Sequence, residues 1–156
     1  IPPTANVRAF NHPLGSSPID ILGPPLLVHQ IRDDFPRSLH RQPFLLPAEG
    51  YALRRPLEDW FARHDIQPRI VAEVEDNDLI NVLAEAGAGL FAAPSIIADD
   101  IRVRYAVEIA GRAPGLKERF FAITADRRIK NPAVVAITEA ARTDLAFSSG
   151  SAPSRP

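Results

Sequence analysis

The sequence predicts an α/β fold built on a short parallel sheet with helices on its faces. Three observations predict it. Between Pro43 and Ala92, strand-like and helix-like segments alternate in the order β-α-β-α-β. Phe44-Leu45-Leu46 is a short, continuously apolar run flanked by Pro43 and Pro47, the pattern of a strand covered on both faces. Leu53, Leu57, Trp60 and Phe61 recur at helical spacing, with Arg54, Glu58, Asp59 and Arg63 on the other side.

Composition narrows the function. A chain of 156 residues is long enough to bury one core. Its 46% hydrophobic and 24% charged residues exclude global disorder. Lys and Arg (18) balance Asp and Glu (19) to a net charge of −1, which argues against a dedicated nucleic-acid-binding chain. The absence of cysteine excludes disulfides, thiolate zinc sites and a cysteine nucleophile. No apolar run approaches the ~20 residues of a membrane span, so no membrane partner is expected. Methionine is absent and the chain opens Ile1-Pro2-Pro3, as expected of a processed or partial chain.

The elements follow in order. Ile1 to Leu14 has extended character, and Gly15-Ser16-Ser17-Pro18 reads as a turn. Ile19 to Leu22 is a short strand stopped by Gly23-Pro24-Pro25. A short helix from Leu26 to Asp34 puts Leu27, Ile31 and Phe35 on one face and ends at Pro36. After the Phe44–Leu46 strand and the loop Pro47-Ala48-Glu49-Gly50, a helix starts near Ala52 and runs to about His64. Its Pro56 falls in the first turn, where an N–H has no helical partner anyway. Ile70 to Val74 is a strand. Asp78 to Ala86 is a helix with Leu79, Val82, Leu83 and Ala86 inward, closed by Gly87 as a left-handed cap. Leu90 to Ala92 is the third strand, closed by Ala93-Pro94-Ser95, and Ser95 to Asp100 is a short helix. Strands are expected at Val103–Ile109 and Arg119–Thr124, then a helix from Pro132 to Leu145. The Ser- and Pro-rich tail 148–156 is expected to be disordered.

Chemistry-bearing motifs are sparse. His12, His29, His40 and His64 are scattered without metal-site spacing and read as surface residues. No Gly-x-Ser-x-Gly elbow is present. Gly87-Ala88-Gly89 has the spacing of a dinucleotide fingerprint, but the glycines follow a helix and precede a strand, the reverse of what that motif needs. Cap and close packing explain it better. Glu75-Asp76-Asn77-Asp78 is the densest oxygen cluster. It reads first as a helix cap and second as one wall of a ligand site suited to a hard cation. Arg54-Arg55 and Arg127-Arg128-x-Lys130 read as solvated basic surface, and Trp60-Phe61 as core or interface.

Pro43-Phe44-Leu45-Leu46-Pro47, Arg54-Arg55-Pro56-Leu57-Glu58-Asp59-Trp60-Phe61, Ile66-x-Pro68-x-Ile70-Val71 and Ala86-Gly87-Ala88-Gly89-Leu90-Phe91-Ala92-Ala93-Pro94-Ser95, taken together, resemble the effector-binding domain of LysR-type transcriptional regulators. Arg119-Phe120-Phe121-Ala122-Ile123 and Arg127-Arg128-x-Lys130-x-Pro132-Ala133-Val134 further resemble the NhaR-type, sodium-responsive branch of that family, which activates antiporter genes. The resemblance covers about Val7 to Leu145. It implies a type II periplasmic-binding-protein-like α/β fold with two lobes and an effector cleft. The second lobe is expected at 43–125, with 1–42 and 126–147 as the remnant of the first. The winged helix-turn-helix is expected to lie outside this sequence.

The expected function is effector sensing in a cytoplasmic, homodimeric or larger regulator, with no catalysis and no cofactor. DNA is expected to be contacted only through the missing head. The expected effector contacts are the strand-end loops: Pro47, Ala48, Glu49 and Gly50; Asp76, Asn77 and Asp78; Ala93, Pro94 and Ser95. Glu75, Asp76 and Asp78 are the candidate Na⁺ ligands. A fragment of a solute-binding protein of the same fold is the alternative, and an α/β enzyme the weaker rival for want of a paired nucleophile and base.

Overall fold

The structure, a computed structural model, describes residues 9–124 and 132–150. It is mixed α/β, and the described residues fall into two compact units, one of them Pro18–Glu118 and the other made by the residues on either side.

In the larger unit, β2 (Pro43–Pro47) and β3 (Arg69–Val74) pair in parallel, as the alternating pattern predicts. The register slips between Phe44 and Leu45 so that Val71 has no partner, and Ile70 and Val71 are both exposed. Leu90 adds an isolated parallel bridge to Phe44 just before β4 (Phe91–Pro94). β4 itself pairs antiparallel with β1 (Phe10–Gly23), with Ile21 opposite Ala92 and Leu22 opposite Phe91. β5 (Glu108–Thr124) lies on the other side of β1. The parallel segment is thus joined to an antiparallel one.

Several expectations are corrected. Gly15 to Pro18 is not a turn but the middle of β1. Glycine takes φ +142° at position 15, so a segment with turn composition continues as strand. The short helix at Ser95 runs on as α4 (Ser95–Tyr105), overriding the strand expected from Val103. Its stop is Ala106, which takes the left-handed conformation at φ 52°. Arg119–Thr124 is the end of one long strand and not a separate one. The final helix, α5 (Pro132–Gly150), includes the first residues of the expected tail. The extended segment 1–8, the basic run at Arg127, Arg128 and Lys130, and residues 151–156 lie outside the described residues.

Helices α1 (Pro25–Ile31), α2 (Arg54–Arg63) and α3 (Asn77–Glu85) stand close to where the sequence puts them. Gly87 adopts φ 93°, and the Ala88 N–H reaches the Leu83 carbonyl (3.0 Å) while the Gly87 N–H reaches that of Ala84 (2.9 Å). This is a Schellman closure of α3. A Cβ on Gly89 would lie 3.0 Å from the Pro43 carbonyl oxygen, so the close packing expected there is present.

α3 turns a different face inward than its apolar stripe suggests. Ile80, Asn81 and Ala84 are buried, whereas Leu79 and Val82 are exposed. Arg54 is not free helix surface either. It donates to the Pro47 carbonyl (3.0 Å) and pairs with Glu73 (2.9 Å) and Glu58, tying α2 to the ends of β2 and β3. Among the described residues, three of the four histidines have partners: His12 with Thr124 (2.7 Å), His40 with the Gln67 N–H (3.0 Å) and His64 with the Trp60 carbonyl (2.8 Å).

In the smaller unit, Arg142 donates to the Pro13 carbonyl (2.9 Å) and pairs with Glu139 (2.8 Å). Leu145 packs over Gly15, where a Cβ would meet it at 3.0 Å.

Candidate functional site

The site is built at the C-terminal ends of β2, β3 and β4. After β2, Ala48 donates to the Val74 carbonyl (2.9 Å) and Tyr51 Oη donates to the Glu75 carbonyl, so the first two loops are laced together. After β3, Asp76 caps α3, with its Oδ1 accepting from the Asp78 N–H at 2.8 Å. The capping expected of Glu75-Asp76-Asn77-Asp78 is therefore present. After β4, the chain turns directly into α4 at Ser95.

Beside these ends lies a cavity of about 280 Å³. Leu53, Ile80, Phe91, Ala93 and Ile101 line it with apolar surface. α4 contributes Ile97, Asp100, Ile101, Arg104 and Tyr105, one face at spacings of three, four, seven and eight. α3 contributes Asn77, Asp78 and Asn81 beside Ile80, and Tyr51 and Glu118 complete the polar part of the lining.

Of the expected contact residues, Pro47, Asn77, Asp78, Ala93 and Pro94 line this cavity. Ala48, Glu49, Gly50, Glu75, Asp76 and Ser95 are not part of its lining. Among the described residues, no three His, Asp or Glu side chains are gathered to hold a metal ion. Tyr51, Asn81, Asp100, Arg104, Tyr105 and Glu118 also line the cavity and stand outside the expected set. A signal for the α4 group was present: the spacing from Ile97 to Tyr105 marks one helix face once the helix is carried past Asp100.

Two features set the electrostatics. Asp78, Asp100 and Glu118 stand against one base, Arg104, and none of the three acids makes an ion pair among the described residues. Burial pushes the Glu118 carboxyl above its ordinary range. Arg104 lies 5.8 Å from the centre of the Tyr105 ring, in cation–π range. Asn81 is 8% exposed, and its side-chain amide has no hydrogen-bond partner among the described residues. Among the described residues no sealed polar side-chain atom lacks a partner, so the Asn81 amide keeps some accessible surface, and Asn81 is one of the residues lining the cavity.

A model of the LysR substrate binding domain matches residues 3–146. The chain belongs to that family. A LysR-family relative, the transcriptional activator protein NhaR of Escherichia coli K12, is 31% identical over 100 residues, which cover 64% of this chain and 33% of NhaR. The chain thus spans about a third of the length of the curated relatives it matches. Among solved LysR-type domains, the regulatory domain of Synechocystis PCC6803 CcmR with 2-PG has a TM-score of 0.56 at 15% identity, covering 96% of this chain and 71% of that one. The effector-binding domain of QuiR with shikimate has a TM-score of 0.59 at 18% identity, covering 95% and 68%. The BenM effector-binding domain with benzoate has a TM-score of 0.62 at 15% identity, covering 99% and 70%. At such identities the likeness speaks of fold, and the fold is the periplasmic-binding-protein-like one of LysR-type effector-binding domains.

Proposed function

We propose that the chain is the effector-sensing part of a LysR-type DNA-binding transcriptional regulator and that its cavity seats a small effector. The family match over residues 3–146 carries this reading. The geometry supports it: an apolar recess with a few polar groups at the strand ends suits a small molecule. The balanced charge supports the reading that another part of the regulator contacts DNA. The regulator acts in the cytoplasm as a homodimer, and the effector alters DNA contacts through unequal affinity for two states of the protein.

The test is a reporter assay in the complete regulator with Ile97→Trp. Ile97 lines the cavity and is 44% exposed, so a larger ring can fill the recess without being forced into packed core. Induction should fall at least tenfold while operator binding without effector is retained. Unchanged induction overturns the assignment of the cavity.

The similarity to NhaR supports a narrower second reading, a sodium response that activates an antiporter gene, with Asp76 and Asp78 near the ion. Asp76→Asn keeps the cap bond to the Asp78 N–H, Asp78→Asn leaves that bond in place, and each removes a charge. If Na⁺ is the effector at this loop, induction by NaCl should weaken sharply in both, with no response to equimolar KCl. Unchanged induction removes both acids from the ion site and leaves Asp76 as a helix cap only.

A further inference from the structure

We propose that the cavity takes a small organic ammonium ion, a protonated amine on an apolar or aromatic body, and discriminates against carboxylates. This rests on reading the cavity as the effector seat and goes beyond it by naming the ligand's charge and shape.

The lining supplies acceptors where an ammonium supplies donors. An alkylammonium carries up to three N–H donors and no acceptor. Asp78, Asp100 and Glu118 offer carboxylate oxygens unclaimed by any ion pair among the described residues. The one base of the lining, Arg104, lies beside the Tyr105 ring. A carboxylate ligand entering this recess meets three like charges against one opposite charge.

Asn81 points to a ligand independently of the acids. Polar side chains this deeply buried nearly always hydrogen-bond to the protein or to a bound molecule. Asn81 is nine-tenths buried on the inward face of α3, without a partner among the described residues, and lines the cavity. Its carbonyl can accept from an ammonium or hydroxyl donor. The Phe91, Ile80 and Ile101 surface takes an apolar body.

Benzylammonium, benzoate and benzyl alcohol share one shape and differ in charge. Their affinities for the 156-residue chain, measured calorimetrically at low ionic strength, test the proposal. Benzylammonium should bind at least tenfold more tightly than benzoate, with benzyl alcohol between them, and high salt should narrow the gap. Asp100→Asn and Glu118→Gln should each weaken benzylammonium several-fold and leave benzyl alcohol unchanged. Asn81→Leu should weaken both. Asp100 is exposed, so its variant tests charge without disturbing the core. Benzoate binding as tightly as benzylammonium overturns the ligand class and leaves the cavity as a seat. If none of the three binds below about 10 mM, the ligand class and the seat both fall.

Discussion

Phe44 and Leu46 join one hydrophobic cluster of the larger unit, and Leu45 between them joins another. The first cluster holds Trp60, Phe61 and Phe44, with Phe44 and Phe61 packed edge to face at 5.1 Å between ring centres. Its most demanding polar group, the Trp60 indole N–H, donates to the Pro114 carbonyl at 2.9 Å, and Trp60 is wholly buried. The second cluster, around Phe91, Val74 and Ile101, supplies most of the apolar lining of the cavity, to which the first adds Leu53, and lies beside Asn81, whose amide has no partner among the described residues. Burial alone does not separate structure from function here. The two clusters differ in the polar group beside them: the Trp60 indole N–H is bonded within the protein, and the Asn81 amide has no partner among the described residues.

The largest effect should come from breaking the closed cluster. Trp60→Ala should destabilise the chain by about 3–5 kcal/mol, read from urea midpoints. Ile101→Ala removes a side chain that already borders empty space and is 8% exposed. Its cost should fall at the low end of the range for such truncations, about 2 kcal/mol. Equal losses for the two variants would mean that the clusters are not different in kind.

The closed cluster was the legible one. Leu57, Trp60 and Phe61 are large, apolar and helically spaced, so periodicity finds their face directly. The cap at Gly87 was legible because only an unusual backbone needs that residue there. The open cluster was harder for a physical reason. Periodicity counts apolar residues, and α3 buries Asn81 while exposing Leu79 and Val82. The apolar stripe therefore points to the wrong face of α3, the helix that helps line the cavity. α4 was cut short because Ile, Val and Tyr favour strands locally, and tertiary packing overrides that preference. Gly15-Ser16-Ser17-Pro18 has turn composition, but the strand runs on through it, and β1 pairs with segments far along the chain, which no local pattern records.

A smaller effect sharpens the comparison at the edge of the site. Asp76→Ala removes the cap of α3 and should cost about 1 kcal/mol, with Asp76→Asn restoring most of it. If Asn restores nothing, the carboxylate charge and not the cap bond holds this end of the helix.

The smallest effect is a pH dependence in the cavity lining. Burial raises the Glu118 carboxyl in the native state, so the folded chain binds this proton more readily than the unfolded one. Its stabilising contribution is complete below the ordinary carboxylate range and is lost as pH rises through the raised native value. Glu118→Gln should therefore match the parent in acid and melt slightly higher near neutrality. A lower melting temperature at neutral pH would show that the charge has a stabilising partner.

The most direct test of the account uses one nuclear resonance from each region. Trp60 is the only tryptophan, so its indole N–H reports on the closed cluster alone, and the Asn81 side-chain amide reports on the cavity. Whichever benzyl probe binds most tightly should be titrated into the labelled chain while both signals are followed. The account predicts that the Asn81 amide moves with saturation while the Trp60 indole holds its position. A stationary Asn81 amide at saturating probe, or a Trp60 indole that moves as far, would contradict it.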